Sequence, residues 1–213
     1  MQIKNFYALG LLLLPLAAHA TPVSVAGGVG SLGLSLDGAY HINQYFSVDA
    51  EFNRFDHSGN RSYEGVNYDY GLHLSSFLVM LNWYPFGGAW HLSAGLANNS
   101  SSIDATGVPQ NGSYTFNGHT YSAAEVGATS AGLSFPKSAT YLGMGWGGNG
   151  DWGLVFNLGL LHFSSPQFAL NVAGAASNPS LAADVQQYQN QVQNRVNSWT
   201  WYPQAALEFY IRF

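Results

Sequence analysis

Cysteine is absent from the 213 residues, which excludes a disulfide framework, a thiol nucleophile and a cysteine-ligated zinc site. Charge is scarce as well, at 8% of residues against the roughly 25% usual in a soluble domain. Six basic and eleven acidic side chains cannot cover the water-facing surface of a chain this long. Lys4 and Lys137 are the only lysines and the net charge is −5, so a basic nucleic-acid face is excluded. Beyond residue 20 no apolar run approaches the ~20 residues that a helix needs to cross a bilayer; the longest candidate covers only 77–81. What is plentiful is apolar and aromatic: 47% hydrophobic residues, 15% aromatic residues and 25 glycines. That balance favours burial over disorder and describes a protein whose exterior does not suit water.

Residues 1–20 read as a secretory signal peptide that is cleaved, with Lys4 in the n-region, an apolar run over 8–18 and Ala18-His19-Ala20 at the cleavage site. The run contains Pro15 and is too short to span. Residues 21–213 then form one domain. An exported chain with no spanning helix can still enter lipid by closing a β-barrel, which satisfies every backbone group between strands.

Period-two alternation supports that reading. Phe46, Val48, Ala50 and Phe52 oppose Ser47, Asp49, Glu51 and Asn53; Leu32, Leu34 and Leu36 oppose Gly33, Ser35 and Asp37. Trp90, Leu92, Ala94 and Leu96 alternate with His91, Ser93, Gly95 and Ala97, and 201–213 follow the same rule to the end. The stretch 68–83 starts in register, with Tyr70, Leu72 and Leu74 against Asp69, His73 and Ser75, then turns apolar on both faces. Short connections at 41–44, 85–89 and 147–151 alternate with longer ones at 56–65, 98–137 and 164–198, as expected of a barrel with turns on one rim and loops on the other. Aromatics cluster at the short turns (Tyr40, Tyr45, Phe46, Trp83, Tyr84, Phe86, Trp90, Trp146, Trp152, Tyr210, Phe213), which suggests an interfacial girdle. Phe55, Tyr68, Tyr141, Phe163, Trp199 and Trp201 would form a second one. Seven strands are clear, and 23–30, short and glycine-rich, supplies an eighth. The expected fold is all-β: an eight-stranded antiparallel transmembrane up-and-down barrel with extracellular loops, one containing a short helix.

Two loop features stand out. In 114–121, Asn117-Gly118 between β-formers is a strong hairpin signal, expected to extend the sheet above the membrane. In the last long loop, Leu181, Val185, Tyr188, Val192 and Val196 share one helical face, with Asn178 as cap and Pro179 at the first position. That helix is expected to pack over the barrel mouth.

The closing Glu208-Phe209-Tyr210-Ile211-Arg212-Phe213 resembles the C-terminal assembly signal of bacterial outer-membrane barrels, with Phe209, Ile211 and Phe213 as its apolar positions. The chain as a whole resembles small eight-stranded outer-membrane proteins of the OmpA/OmpW kind. Segments such as Leu81-Asn82-Trp83-Tyr84-Pro85-Phe86-Gly87-Gly88 and Tyr141-Leu142-Gly143-Met144-Gly145-Trp146-Gly147 resemble an uncharacterised proteobacterial outer-membrane family. The resemblance implies the outer membrane of a Gram-negative bacterium, insertion by the barrel-assembly machinery, and outer-membrane lipids and lipopolysaccharide as surroundings. It implies little about activity, because small barrels host channels, enzymes and plain anchors.

Asp37, Asp49, Glu51, Asp69, His73, His91, Glu208 and Arg212 all fall on expected lumen faces. An eight-stranded interior is just wide enough for side chains to fill it, so the expected arrangement is a plugged polar network in which Arg212 and protonated histidines pair with the acids. The excess of acids also allows a narrow cation-preferring path, or a channel for apolar solutes. His162-Phe163-Ser164 at a strand end resembles the His-x-Ser pair of lipid A 3-O-deacylases, which would make His162 a base and Ser164 a nucleophile. The pattern departs from that family because no acid follows before Asp184. The remaining histidines are scattered, with no ligand spacing and no phosphate loop, so neither metal nor cofactor is expected. The reading is a non-enzymatic, monomeric surface barrel.

Overall fold

A computed structural model of the chain describes residues 22–63, 66–109 and 112–213; the expected signal peptide lies outside them. Eight strands close into an antiparallel barrel: β1 (Val23–Gly30), β2 (Gly33–Asn43), β3 (Phe46–Tyr63), β4 (Val66–Trp83), β5 (Trp90–Asn99), β10 (Ser138–Trp146), β11 (Trp152–Phe163) and β13 (Trp201–Arg212). Each pairs with the next in this order, and β1 pairs with β13 to complete the ring. The first strand, glycine-rich as it is, closes the barrel because Val25 lies opposite Ile211 and Ala26 opposite Tyr210, in register with the chain end. Among the described residues no helix is long and apolar enough to cross a membrane.

Alternation sets the two faces. Leu34, Leu36, Phe52, Val79, Leu81, Leu142, Leu154, Leu158, Leu207 and Phe209 stand exposed on the outside, an apolar belt suited to hydrocarbon. Tyr40, Tyr45, Phe46, Trp83, Phe86, Trp146 and Trp152 are exposed toward the end with the short turns. Two residues expected in that girdle, Tyr84 and Tyr210, are buried instead, and so are Tyr141 and Phe163 of the second one. All four share the parity of the inward residues, so each fills the lumen.

At the other end β3 and β4 run on past the barrel. The expected loop at 56–65 is therefore mostly a continued ladder, from Phe55 opposite Leu74 to Tyr63 opposite Val66. While Ser76–Trp83 pair with β5, residues 66–73 of β4 leave it and pair with β6 (Ser102–Pro109). Next to β6 comes β9 (Thr129–Ser134), then β12 (Gln167–Val172). These strands make a sheet that stands above the barrel as a head.

The Asn-Gly hairpin does form, as β7 (Ser113–Phe116) and β8 (His119–Ser122), with Asn117 and Gly118 at φ 50 and 83 as such a turn requires. It is a separate two-stranded sheet and does not extend the main one. Its Phe116 packs with Val126, Val172, Leu181 and Val185 in a second small core. Val126 belongs to the short α1 (Ala123–Val126), which carries a Ser122/Glu125 capping box. Leu181 and Val185 belong to α2 (Pro179–Val196), whose cap Asn178 accepts from the Ser180 and Leu181 amides. This helix packs on β12, a 310 turn at Ala173–Ala176 and the hairpin, so it covers the head and not the barrel mouth.

Candidate functional site

From the turn end upward the lumen changes chemistry. At the rim, Arg212 Nη2 donates to the Gly148 carbonyl at 2.5 Å and lies 3.1–3.2 Å from both ring nitrogens of His41. Arg212 pairs with no Asp or Glu side chain among the described residues, contrary to expectation. The reason is axial distance: four strand residues separate it from Glu208, about 13 Å at ~3.3 Å each.

Above the rim stand Asp37, Asp49, Glu51 and Glu208, all pointing inward together with His91. Neutral donors, not cations, hold these carboxyls. Ser35 Oγ donates to Glu208 Oε1 at 2.6 Å and Asn157 Nδ2 to Oε2 at 3.3 Å. Asn53 Nδ2 donates to Glu51 at 2.7 Å, and Ser47 and Asn82 both serve Asp49, at 2.8 and 2.5 Å. His91 Nε2 lies 3.1 Å from Asn157 Oδ1. Asp37 is different: its Oδ2 is buried with no partner among the described residues. The space left among these groups for the centres of water molecules is about 40 Å³, enough for about three waters.

Glycines make this filling possible. A Cβ at Gly145 would collide with His91 and Asn157, and one at Gly159 with the Tyr141 ring. Higher still the lumen is apolar: Leu32, Leu78, Met80, Ala97, Ala139, Tyr141, Leu161 and Phe163 pack as one cluster.

Asp69 and His73 do not belong to this network. Both are exposed on the outward face of the β4 extension, where His73 Nδ1 lies 2.9 Å from Asp56 and Nε2 lies 3.2 Å from Asp104. Strand β4 inverts its polarity as it leaves the barrel. Below, Phe77, Val79 and Leu81 face outward; above, Leu72 and Leu74 face the axis. Apolar residues mark the outer face in lipid and the inner face in water, so the extension reads with the wrong sign.

His162 and Ser164 are both exposed. The His162 ring lies against Trp201, with centroids 4.4 Å apart, and makes no hydrogen bond to Ser164 or to a carboxylate among the described residues. Phe209 and Phe213 face outward on the last strand and just past it, with Ile211 half-buried between them; the Phe209 ring lies 6.1 Å from that of Trp152, and the Phe213 amide donates to Val23 at 3.0 Å. Among the described residues no three His, Asp or Glu side chains form a metal-ligating group.

Reading the sequence for charge missed the neutral half of the lumen network, Ser35, Ser47, Asn53, Asn82, Asn157 and Gln204. Their parity with the acids is the signal that identifies them. It also missed a second polar centre, in the head. Asp184 on α2 accepts from Tyr121 Oη, from Asn117 Nδ2 at 3.2 Å and lies 2.8 Å from His119 Nδ1. These partners, Tyr121 foremost, hold its carboxyl below the usual range, and the same contact pushes the Tyr121 phenol up to about 12. The triangle fastens the hairpin to the helix across more than sixty residues of chain.

No family model matches the chain, and no curated protein matches its sequence. Solved structures do resemble it, among them two of outer-membrane proteins. Acinetobacter baumannii CarO2 aligns over 92% of this chain and 100% of its own, with TM-score 0.62 and 17% identity. Acinetobacter baumannii CarO aligns over 90% and 98%, with TM-score 0.57 and 18% identity. At that identity the likeness concerns the fold, and the fold in question is the eight-stranded barrel.

Proposed function

We propose that this protein is a monomeric, non-enzymatic barrel of the bacterial outer membrane, with a plugged lumen and a head that presents a recognition surface outside the cell. The observation that carries this reading is the filled interior: carboxyls satisfied by amides and hydroxyls below, an apolar cluster above, and about 40 Å³ of water-sized space in the polar layer. The apolar belt and the aromatic end chain support a lipid setting and delivery by the barrel-assembly machinery, with lipopolysaccharide around the loop end. The fold shared with the CarO structures supports the same setting. A non-enzymatic role is supported by the outward His162 ring, which lies against Trp201 and has no hydrogen bond to Ser164 or to a carboxylate among the described residues.

Asp37, Asp49, Glu51 and Glu208, with no cation paired to any of them among the described residues, favour one second reading, a narrow cation path. Both are tested by refolding residues 21–213, checking closure by heat-modifiable gel migration and recording currents in a planar bilayer. The plugged barrel is silent. Reproducible cation-selective steps establish the path instead.

A further inference from the structure

Between the apolar cluster and the head, a cavity of about 200 Å³ opens inside the barrel mouth. Its walls are Leu72, Leu74, Ile103, Phe135, Leu161 and Phe163, the last two aromatics meeting edge to face at 5.5 Å. Leu78 and Tyr141 belong to the packed cluster beneath, so the cavity is a pocket and not a passage. No charged residue lines it, which excludes ions and strongly acidic or basic solutes. Four side chains with polar atoms line it: Ser76, Asn99, Ser101 and Tyr202. Three of these are spent, since Asn99 Nδ2 donates to the Pro136 carbonyl at 3.2 Å, Ser101 Oγ donates to Asn99 Oδ1 at 2.7 Å and Tyr202 Oη donates to the Ser31 carbonyl at 2.7 Å. The Ser76 hydroxyl is the exception. Ser76 is 3% exposed, and its Oγ has no partner among the described residues.

A buried hydroxyl left unpaired costs free energy, and an apolar cavity of about 150 Å³ stays dry and takes up benzene. We propose that this pocket binds a small neutral solute, one aromatic ring or its aliphatic equivalent in size, bearing one hydrogen-bonding group that meets Ser76 Oγ. The pocket is independent of the head's recognition surface and of whether the lumen conducts.

The test uses the barrel of residues 21–213 in phosphatidylcholine nanodiscs, titrated with 4-fluorophenol and fluorobenzene and followed by ¹⁹F NMR. Both probes give a saturable shift above their partition into lipid. Ala139→Leu, which fills the pocket from its wall, abolishes that shift for both. Ser76→Val weakens 4-fluorophenol by about threefold to tenfold, the loss of one hydrogen bond, and leaves fluorobenzene as tight or tighter. Heat-modifiable migration checks that each variant folds; Ala97→Val replaces Ala139→Leu if the larger side chain prevents closure. A wild-type signal equal to that of the filled variant overturns the site, and an unchanged 4-fluorophenol affinity in Ser76→Val overturns the hydroxyl's role.

Discussion

Asp184 is 11% exposed at its side chain while His119, one of its partners, is 70% exposed, so the contact sits at the edge of the hairpin–helix interface with the carboxylate on the inner side. A carboxyl held low by its donors supports docking fully above its unfolded value, 3.8, and loses that support as pH falls through the depressed folded value. Tyr121 acts in the opposite sense: its contribution is complete below 10 and is lost as pH rises through about 12. Through these two groups hairpin docking weakens in strong acid and in strong base. Asp184→Asn removes the charged acceptor, and hydrogen exchange of the 113–122 amides at neutral pH accelerates by about tenfold; unchanged protection sinks this account of docking. Gly145 offers a residue-scale test inside the barrel. Gly145→Val forces His91 and Asn157 apart and costs about 1–3 kcal/mol of overpacking, read as a lower urea midpoint in bilayer refolding. Gly38, whose added Cβ meets nothing within 4 Å, tolerates Ala in the same assay.

The elements divide by how directly hydrophobic periodicity reports their surroundings. β2, β5 and β13 are legible because one face meets lipid and the other meets the lumen, β11 only in its first part, and β1, short and glycine-rich, only as the eighth strand that an even barrel needs. Ser76–Trp83 of β4 reads as apolar on both faces because Leu78 and Met80 belong to the apolar cluster inside, whereas β3 is legible up to Asn53, where it faces lipid. Beyond that the same period-two signal continues, but water replaces lipid outside, and Asp69 and His73 are read as inward when they are outward. β6 and β9 leave no distinct signal, since their short segments are rich in Ala, Gly, Ser and Thr; β6 finds its place by pairing with the extended edge of β4, β9 by pairing with β6, and β12 by pairing with β9. The Asn117-Gly118 turn was legible because it needs only local φ values; what the hairpin packs against depends on α2, more than sixty residues away. This division predicts a contrast within one strand. Val79→Arg, on the lipid face of β4, lowers the stability of the refolded barrel by about 2–4 kcal/mol, whereas His73→Arg, six residues earlier on the same face, changes it by less than about 0.5 kcal/mol. Equal urea midpoints for the two variants contradict the placement of the membrane boundary between them.

For the molecule as a whole, the lumen is a stack of unlike layers, and the layer that controls permeation is not the one with the charges. The acidic layer, though short of cations, is polar and could hydrate an ion. The apolar cluster, centred on the fully buried Leu78 beside Tyr141 and Leu161, fills the axis from the level of Glu51 upward with groups that ligate an ion poorly, and an incompletely ligated charge in such a place is strongly disfavoured. Neutralising acids therefore leaves the barrel silent. Asp37→Asn goes further and stabilises it, because an amide at that position supplies donors to a layer that holds four carboxyls and no paired cation; the urea midpoint rises, by about 1 kcal/mol. Leu78→Ala combined with Tyr141→Ala opens the upper layer, and planar-bilayer recordings then show steps that wild type lacks. Adding Asp49→Asn to that pair reduces their cation preference, since only in the opened barrel do permeating ions meet the acids. Steps in the wild-type barrel that disappear with Asp49→Asn alone reverse this assignment and make the acidic layer the gate.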